Sequence, residues 1–146
     1  MKLTVSGKSV YCYTGGRAHQ PGRPTLVLIH GAGHDHSVWT LQSRYFATHG
    51  WNVLVPDLPG HGQSEGPQQE SIGELADWVA ALLEAAGTGP TLLAGHSMGS
   101  LIALETAARF PDKVSLLALI GSVAPMPVAP PLLEATLANR DKAHAM

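Results

Sequence analysis

Gly95-His96-Ser97-Met98-Gly99 places a serine between two glycines, where the apolar run "TLLAGH" (Thr91 to His96) gives way to a segment with helical spacing. A serine carried at the tip of such a strand-to-helix turn is set up to act as a nucleophile. Glycines two before and two after it let strand and helix pass close together, around backbone that is itself strained. The first turn of the helix adds unpaired amides and the positive end of a dipole, which stabilise negative charge developing beside the serine. The chemistry this suits is acyl transfer, whose tetrahedral oxyanion needs two N–H donors. One is the amide of Met98. The other comes from a second glycine turn, because His30-Gly31 follows the run "TLVLI" directly and aims the amides of Ala32 and Gly33 across the same sheet edge.

A serine hydroxyl without a general base is a poor nucleophile at neutral pH. The chain has eight histidines, and none sits where a base for Ser97 is needed. His30 belongs to its own turn, where a polar contact within the loop is expected. His96 precedes the nucleophile and should point away from its hydroxyl. His34 and His36 lie over the mouth of the site, and His61 orders the loop "PGHGQS". The residues expected to line the substrate site are therefore His30, Gly31, Gly33, His34 and His96. The run Val114 to Ile120 exits into Gly121-Ser122-Val123 without a carboxylate, and only Glu134, Asp141 and His144 come after it. His34-Asp35-His36 has the look of metal ligands, but no motif places a third, so neither a metal nor a cofactor is expected.

These groups need elements to hold them. "TLVLIH", "NVLVPD", "TLLAGH" and "VSLLALIG" are nearly continuous apolar runs, each ending in Gly, Pro, Asp or His, as strands buried on both faces of a parallel sheet require. Helical spacing separates them, over about Val38 to His49, Ser71 to Ala86 and Met98 to Phe110. Ser71 with Glu74 three residues on is a capping-box start, and Pro111 forces the last of these helices to stop. Alternation in "KLTVSG" and "SVYCYTGG" adds an antiparallel hairpin at the front. The fold class is α/β, a mostly parallel sheet with helices on both faces and right-handed crossovers. Residues 1–123 read as the core, and 124–146 as a Pro-rich segment that opens a cap helix.

Composition narrows the function. A net charge of −2 without any run of like charges leaves no footprint for nucleic acid or an anionic membrane. The longest apolar run is far too short to span a bilayer. Cys12, the sole cysteine, rules out an intrachain disulfide and fits a reducing, cytoplasmic setting.

With "HGAGHDHSVW", "DLPGHGQS" (Asp57 to Ser64) and "GHSMG" in this order, the chain resembles the amino-terminal half of an α/β-hydrolase over nearly its whole length. The resemblance implies Ser97 as nucleophile, with the amides of Ala32 and Met98 as the oxyanion hole, in the esterase- and lipase-like branch. Serine at this position argues against the dehalogenase and epoxide-hydrolase branches, whose nucleophile is aspartate. It also implies a triad acid and histidine later along the chain than Ser97, and neither is found here. The expectation is a hydrolase of carboxylic esters or related acyl compounds that is close to inert without a complementary carboxyl-terminal segment. Either that segment or a second copy would cover the outer edge near Val114 to Ile120. The alternative is a non-catalytic binding protein or inert fragment that keeps the pocket.

Overall fold

The computed structural model describes residues 1–138, in which six strands form one mixed sheet in the order β1-β2-β4-β3-β5-β6. β1 (Lys2–Val5) and β2 (Lys8–Tyr13) are the front hairpin, joined by Ser6 and Gly7 with φ of 49° and 76°. A two-residue turn with positive φ at both positions matches the twist of the strands it connects. β3 (Thr25–Ile29), β4 (Asn52–Pro56), β5 (Thr91–His96) and β6 (Val114–Ile120) are the four apolar runs. Within this set β3 pairs parallel with β4 and β5, and β5 with β6, while β4 closes antiparallel onto β2.

Three helices connect the parallel strands. α1 (Thr40–Thr48) is preceded by a 3-10 turn over His36–Trp39, whose start is capped by the Asp35 carboxylate accepting from the Ser37 amide at 2.8 Å. α2 (Ile72–Ala85) has the reciprocal cap its sequence encodes. The Ser71 hydroxyl accepts from the Glu74 amide, and the Glu74 carboxylate accepts from the Ser71 amide, both at 3.1 Å. Such a cap contributes about 1 kcal/mol. α3 (Met98–Arg109) stops just before Pro111, and α4 (Pro130–Ala138) comes after an extended, Pro-rich stretch.

Successive residues of a strand face opposite sides of the sheet. Val27 and Ile29 of β3 join α2 and α3 in one core, with Leu54, Val79, Leu82, Leu93 and Ile102. Leu26 and Leu28 join α1 in the other, with Trp39, Ala47, Val53 and Val55. The chain leaves β3 toward β4 on one side, then crosses back to β5 and β6 on the other. Crossovers of one hand then put α1 on one face and α2 and α3 on the opposite one.

β6 departs from the expected burial. Leu116 and Ile120 are 62% and 44% exposed on the α1 face, and Leu117 and Leu119 are 36% and 41% exposed on the other. As the last strand of the sheet, β6 has no partner on its outer edge among the described residues. An apolar run records what a strand is suited to be buried against, not whether anything covers it.

Candidate active site

Ile29 pairs with Gly95, so the chain leaving β3 and the chain leaving β5 emerge side by side. From there one continues to α1 on one face and the other to α3 on the opposite face. The crevice between them, outside the carboxyl ends of the strands, is where doubly wound sheets take their ligands.

Ser97 stands at this point with φ 54° and ψ −121°, one of two non-glycine residues with positive φ among those described. Backbone of this kind costs on the order of 1–3 kcal/mol and persists only where its surroundings impose it. Here they do. The Ser97 amide donates to the Ile120 carbonyl at 3.0 Å, and the Ser97 carbonyl accepts from the Ser100 amide at 2.9 Å and the Ser100 hydroxyl at 2.5 Å. The flanking glycines are demanded by close approach. A side-chain carbon at Gly95 would overlap the Gly99 carbonyl, and one at Gly99 would overlap the Ile29 carbonyl and lie 2.6 Å from that of His30. Ser97 itself is half-buried, and among the described residues its hydroxyl has no hydrogen-bond partner. Met98 is the first residue of α3, so its amide has no acceptor within the helix.

The facing turn is built around His30. This imidazole is fully buried; its Nε2 accepts from the Leu58 amide at 3.1 Å, and its Nδ1 donates to the Gly31 carbonyl at 2.8 Å. The His34 amide donates to the same carbonyl at 3.3 Å. Because a trans peptide holds its C=O and N–H in opposite directions, fixing the Gly31 carbonyl on the imidazole turns the Ala32 N–H away from it. A side-chain carbon at Gly31 would lie 3.3 Å from the Ser97 Cβ, so the turn and the elbow touch through bare backbone.

The structure brings Gly31 against Ser97, with Ala32 and Met98 next along the chain from each, and sorts the remaining sequence candidates. His30 supports the turn from behind, with both ring nitrogens engaged. His34 and Gly33 are exposed at the rim. The half-buried His96 ring lies between Gly31 and Gly121, and a side-chain carbon at Gly121 would come within 3.4 Å of it. His61 bonds to its own loop at the Pro59 carbonyl, 3.0 Å away, with its ring 5.3 Å from that of His30. Glu134 is exposed on α4, and Asp141 and His144 lie outside the described residues. Two shallow hollows, one lined by Met1, Thr14 and Trp51 and one by Ser6, Glu74 and Trp78, include no residue of the Ser97 elbow.

One pairing was not anticipated from sequence. His36, placed over the mouth by its position, instead points its Nδ1 at the buried Asp57 carboxylate, 2.8 Å away. With Asp35, these residues bring three potential ligand atoms within 4.8 Å of one another, a set different from His34-Asp35-His36. Asp57 ends the run "NVLVPD", and a carboxylate entering a sheet edge straight from a buried strand was the only signal available.

Burial holds the His30 imidazole below its ordinary pKa, outweighing the hydrogen bond to Gly31. The folded state therefore binds fewer protons at His30 than the unfolded chain. Stability contributed by neutral His30 is complete above the ordinary value near 6.5 and declines as pH falls toward the lowered folded value. Urea midpoints should accordingly drop as pH falls below about 6.5 in the wild type, with a shallower drop in His30→Gln. Parallel pH profiles for the two proteins would refute the role given to His30.

Residues 24–142 match the sequence pattern of the alpha/beta hydrolase fold family. The chain belongs to the α/β-hydrolases. This α/β-hydrolase chain is 40% identical over 103 residues to the (E)-2-((N-methylformamido)methylene)succinate hydrolase of Acinetobacter baylyi, covering 70% of this chain and 38% of that protein. It is also 40% identical over 102 residues to the pimeloyl-[acyl-carrier protein] methyl ester esterase of Aromatoleum aromaticum, covering 68% of this chain and 38% of that one. Among solved structures it superimposes on a thermophilic esterase from Thermogutta terrifontis with TM-score 0.76 and 28% identity, covering 96% of this chain and 52% of that one. The chain thus spans 38% of the length of these two curated relatives. Among the described residues, no helix is long and apolar enough to cross a membrane.

Proposed function

We propose that this chain carries the nucleophile and oxyanion hole of a serine hydrolase acting on carboxylic esters or related acyl compounds. The supporting observation is the strained Ser97 backbone, presented at the start of α3 and facing the Gly31–Gly33 turn. In this reading the Ser97 Oγ attacks the acyl carbon while a histidine base takes its proton. The amides of Ala32 and Met98 receive the oxyanion, and the alcohol departs with the proton returned by the base. Water, deprotonated by the same base, then attacks the acyl-Ser97 carbon, and the base returns that proton to the Ser97 Oγ as the acid departs. The rim residues Gly33, His34 and His96 would meet the substrate. Named relatives that hydrolyse an ester and a succinate derivative agree with this class of chemistry.

The acid and the histidine are proposed to come from polypeptide outside this chain, with residues 1–123 as the core and 124–146 opening the cap. The open edge of β6 is the surface for that complementary segment, or for a second copy in its absence. Native sheets blunt free edges with charges, prolines or bulges, whereas Val114–Ile120 presents "VSLLALI". Light scattering at micromolar concentration should therefore show the isolated chain associating, and a clean monomer with a cooperative melt would count against an uncovered edge. The proposed setting is the cytoplasm. Burial pushes the lone Cys12 thiol up to about 12, which keeps it out of thiol chemistry there.

The function is tested by intact-mass analysis after incubation with a fluorophosphonate. The chain alone should label slowly or not at all. Supplied with the remainder of the relatives' length, it should gain one adduct, on Ser97. A reconstituted complex that takes no adduct would favour the non-catalytic binding reading.

A further inference from the structure

The structure assigns Asp57 a positioning role for the oxyanion turn: its buried carboxylate holds the far end of the turn through His36 and so fixes the direction of the Ala32 amide. This rests on Ala32 as an oxyanion donor, but the geometry of the turn can be measured independently of any activity.

Residues 31–36 are pinned at both ends onto two consecutive residues. At the near end, His30 Nε2 accepts from the Leu58 amide. At the far end, Asp57 Oδ1 accepts from the His36 amide at 2.7 Å and from His36 Nδ1 at 2.8 Å. The other carboxylate oxygen accepts from the Gln63 amide at 2.8 Å. Asp57 is fully buried, so its charge depends on these three donors, two of which are backbone groups of separate loops. Gly62 makes room, since a side-chain carbon there would overlap the carboxylate. The anchor is itself anchored: the Asp57 amide donates to the Tyr11 carbonyl of β2 at 2.9 Å, and the Tyr11 and Tyr13 rings lie 4.8 and 5.8 Å from the His36 ring.

A path of short contacts thus runs from the hairpin through the buried Asp57 to His36 and into the turn. Between the two pins Ala32, Gly33 and His34 are exposed, and one backbone bond ties them back, from the His34 amide to the Gly31 carbonyl. Oxyanion donors act by being aimed before charge develops, so a turn loose by an ångström stabilises little. Asp57 would restrain it without touching substrate.

The test is backbone ¹⁵N relaxation on the isotopically labelled chain in complex with the unlabelled remainder of the relatives' length, which covers the β6 edge. Wild type should show a strongly downfield His36 Nδ1–H resonance and order parameters near 0.85 for Ala32 and Gly33, about the value of rigid backbone. In Asp57→Asn that resonance should vanish and the two order parameters should fall below about 0.6, while Val27 and Leu93 keep theirs. If that variant does not fold, His36→Phe keeps a ring against the tyrosines and leaves Asp57 its two backbone donors. The same two amides should then loosen by a smaller amount. Unchanged order at Ala32 and Gly33 in a folded variant, or loosening spread evenly through the sheet, would overturn the assignment. Failure of Ser97 as nucleophile would leave all these signals where they are.

Discussion

Ser97→Ala is expected to abolish fluorophosphonate labelling outright. In the reconstituted enzyme it should lower kcat by about six orders of magnitude, the loss seen when a catalytic serine is removed and only oxyanion hole and binding remain. Folding should be untouched. Among the described residues the hydroxyl makes no hydrogen bond, and the backbone bonds from the Ser97 amide to Ile120 and from Ser100 to the Ser97 carbonyl do not involve it. Ser97→Gly sharpens the test. Glycine adopts φ 54° without strain, so that variant should be equally inactive yet more stable than Ser97→Ala, by up to about 1–3 kcal/mol. Turnover comparable to wild type in either variant would remove Ser97 from the mechanism.

Gly99→Val should prevent the chain from folding. The atoms a side chain would strike are the carbonyls of Ile29 and His30, backbone at the centre of the sheet that cannot swing aside as a side chain would. Overpacking against movable neighbours costs about 1–3 kcal/mol. Against fixed backbone the cost should exceed that range and consume most of a stability of about 5–15 kcal/mol. Gly89→Ala serves as the control, because a carbon there meets nothing within 4 Å. Soluble yield and urea midpoint decide the matter: Gly89→Ala should match wild type, and a soluble, cooperatively melting Gly99→Val would mean that strand and helix do not cross as closely as described.

The features legible in sequence are those carried by short-range patterns. The runs that became β3, β4 and β5 announce burial because their composition leaves no polar face. The Ser71–Glu74 cap is spelled out within four residues, and the Ser97 elbow within five. What escaped is contact across distance. His36 and Asp57 lie 21 residues apart, and nothing in either local context says that they meet. His30 reads equally well as a rim residue or a buried support until the Leu58 amide is seen on its Nε2. For β6, composition predicted burial that the described residues do not supply, since an apolar strand looks the same whether or not its partner is beside it.

Among the described residues, the Ser97 amide reaches the last residue of β6, donating to the Ile120 carbonyl, and the His96 ring lies against Gly121, one residue further on. The elbow is therefore braced from β6, the strand whose outer edge has no partner among the described residues. A strand that frays from its uncovered side would take the acceptor of the Ser97 amide with it.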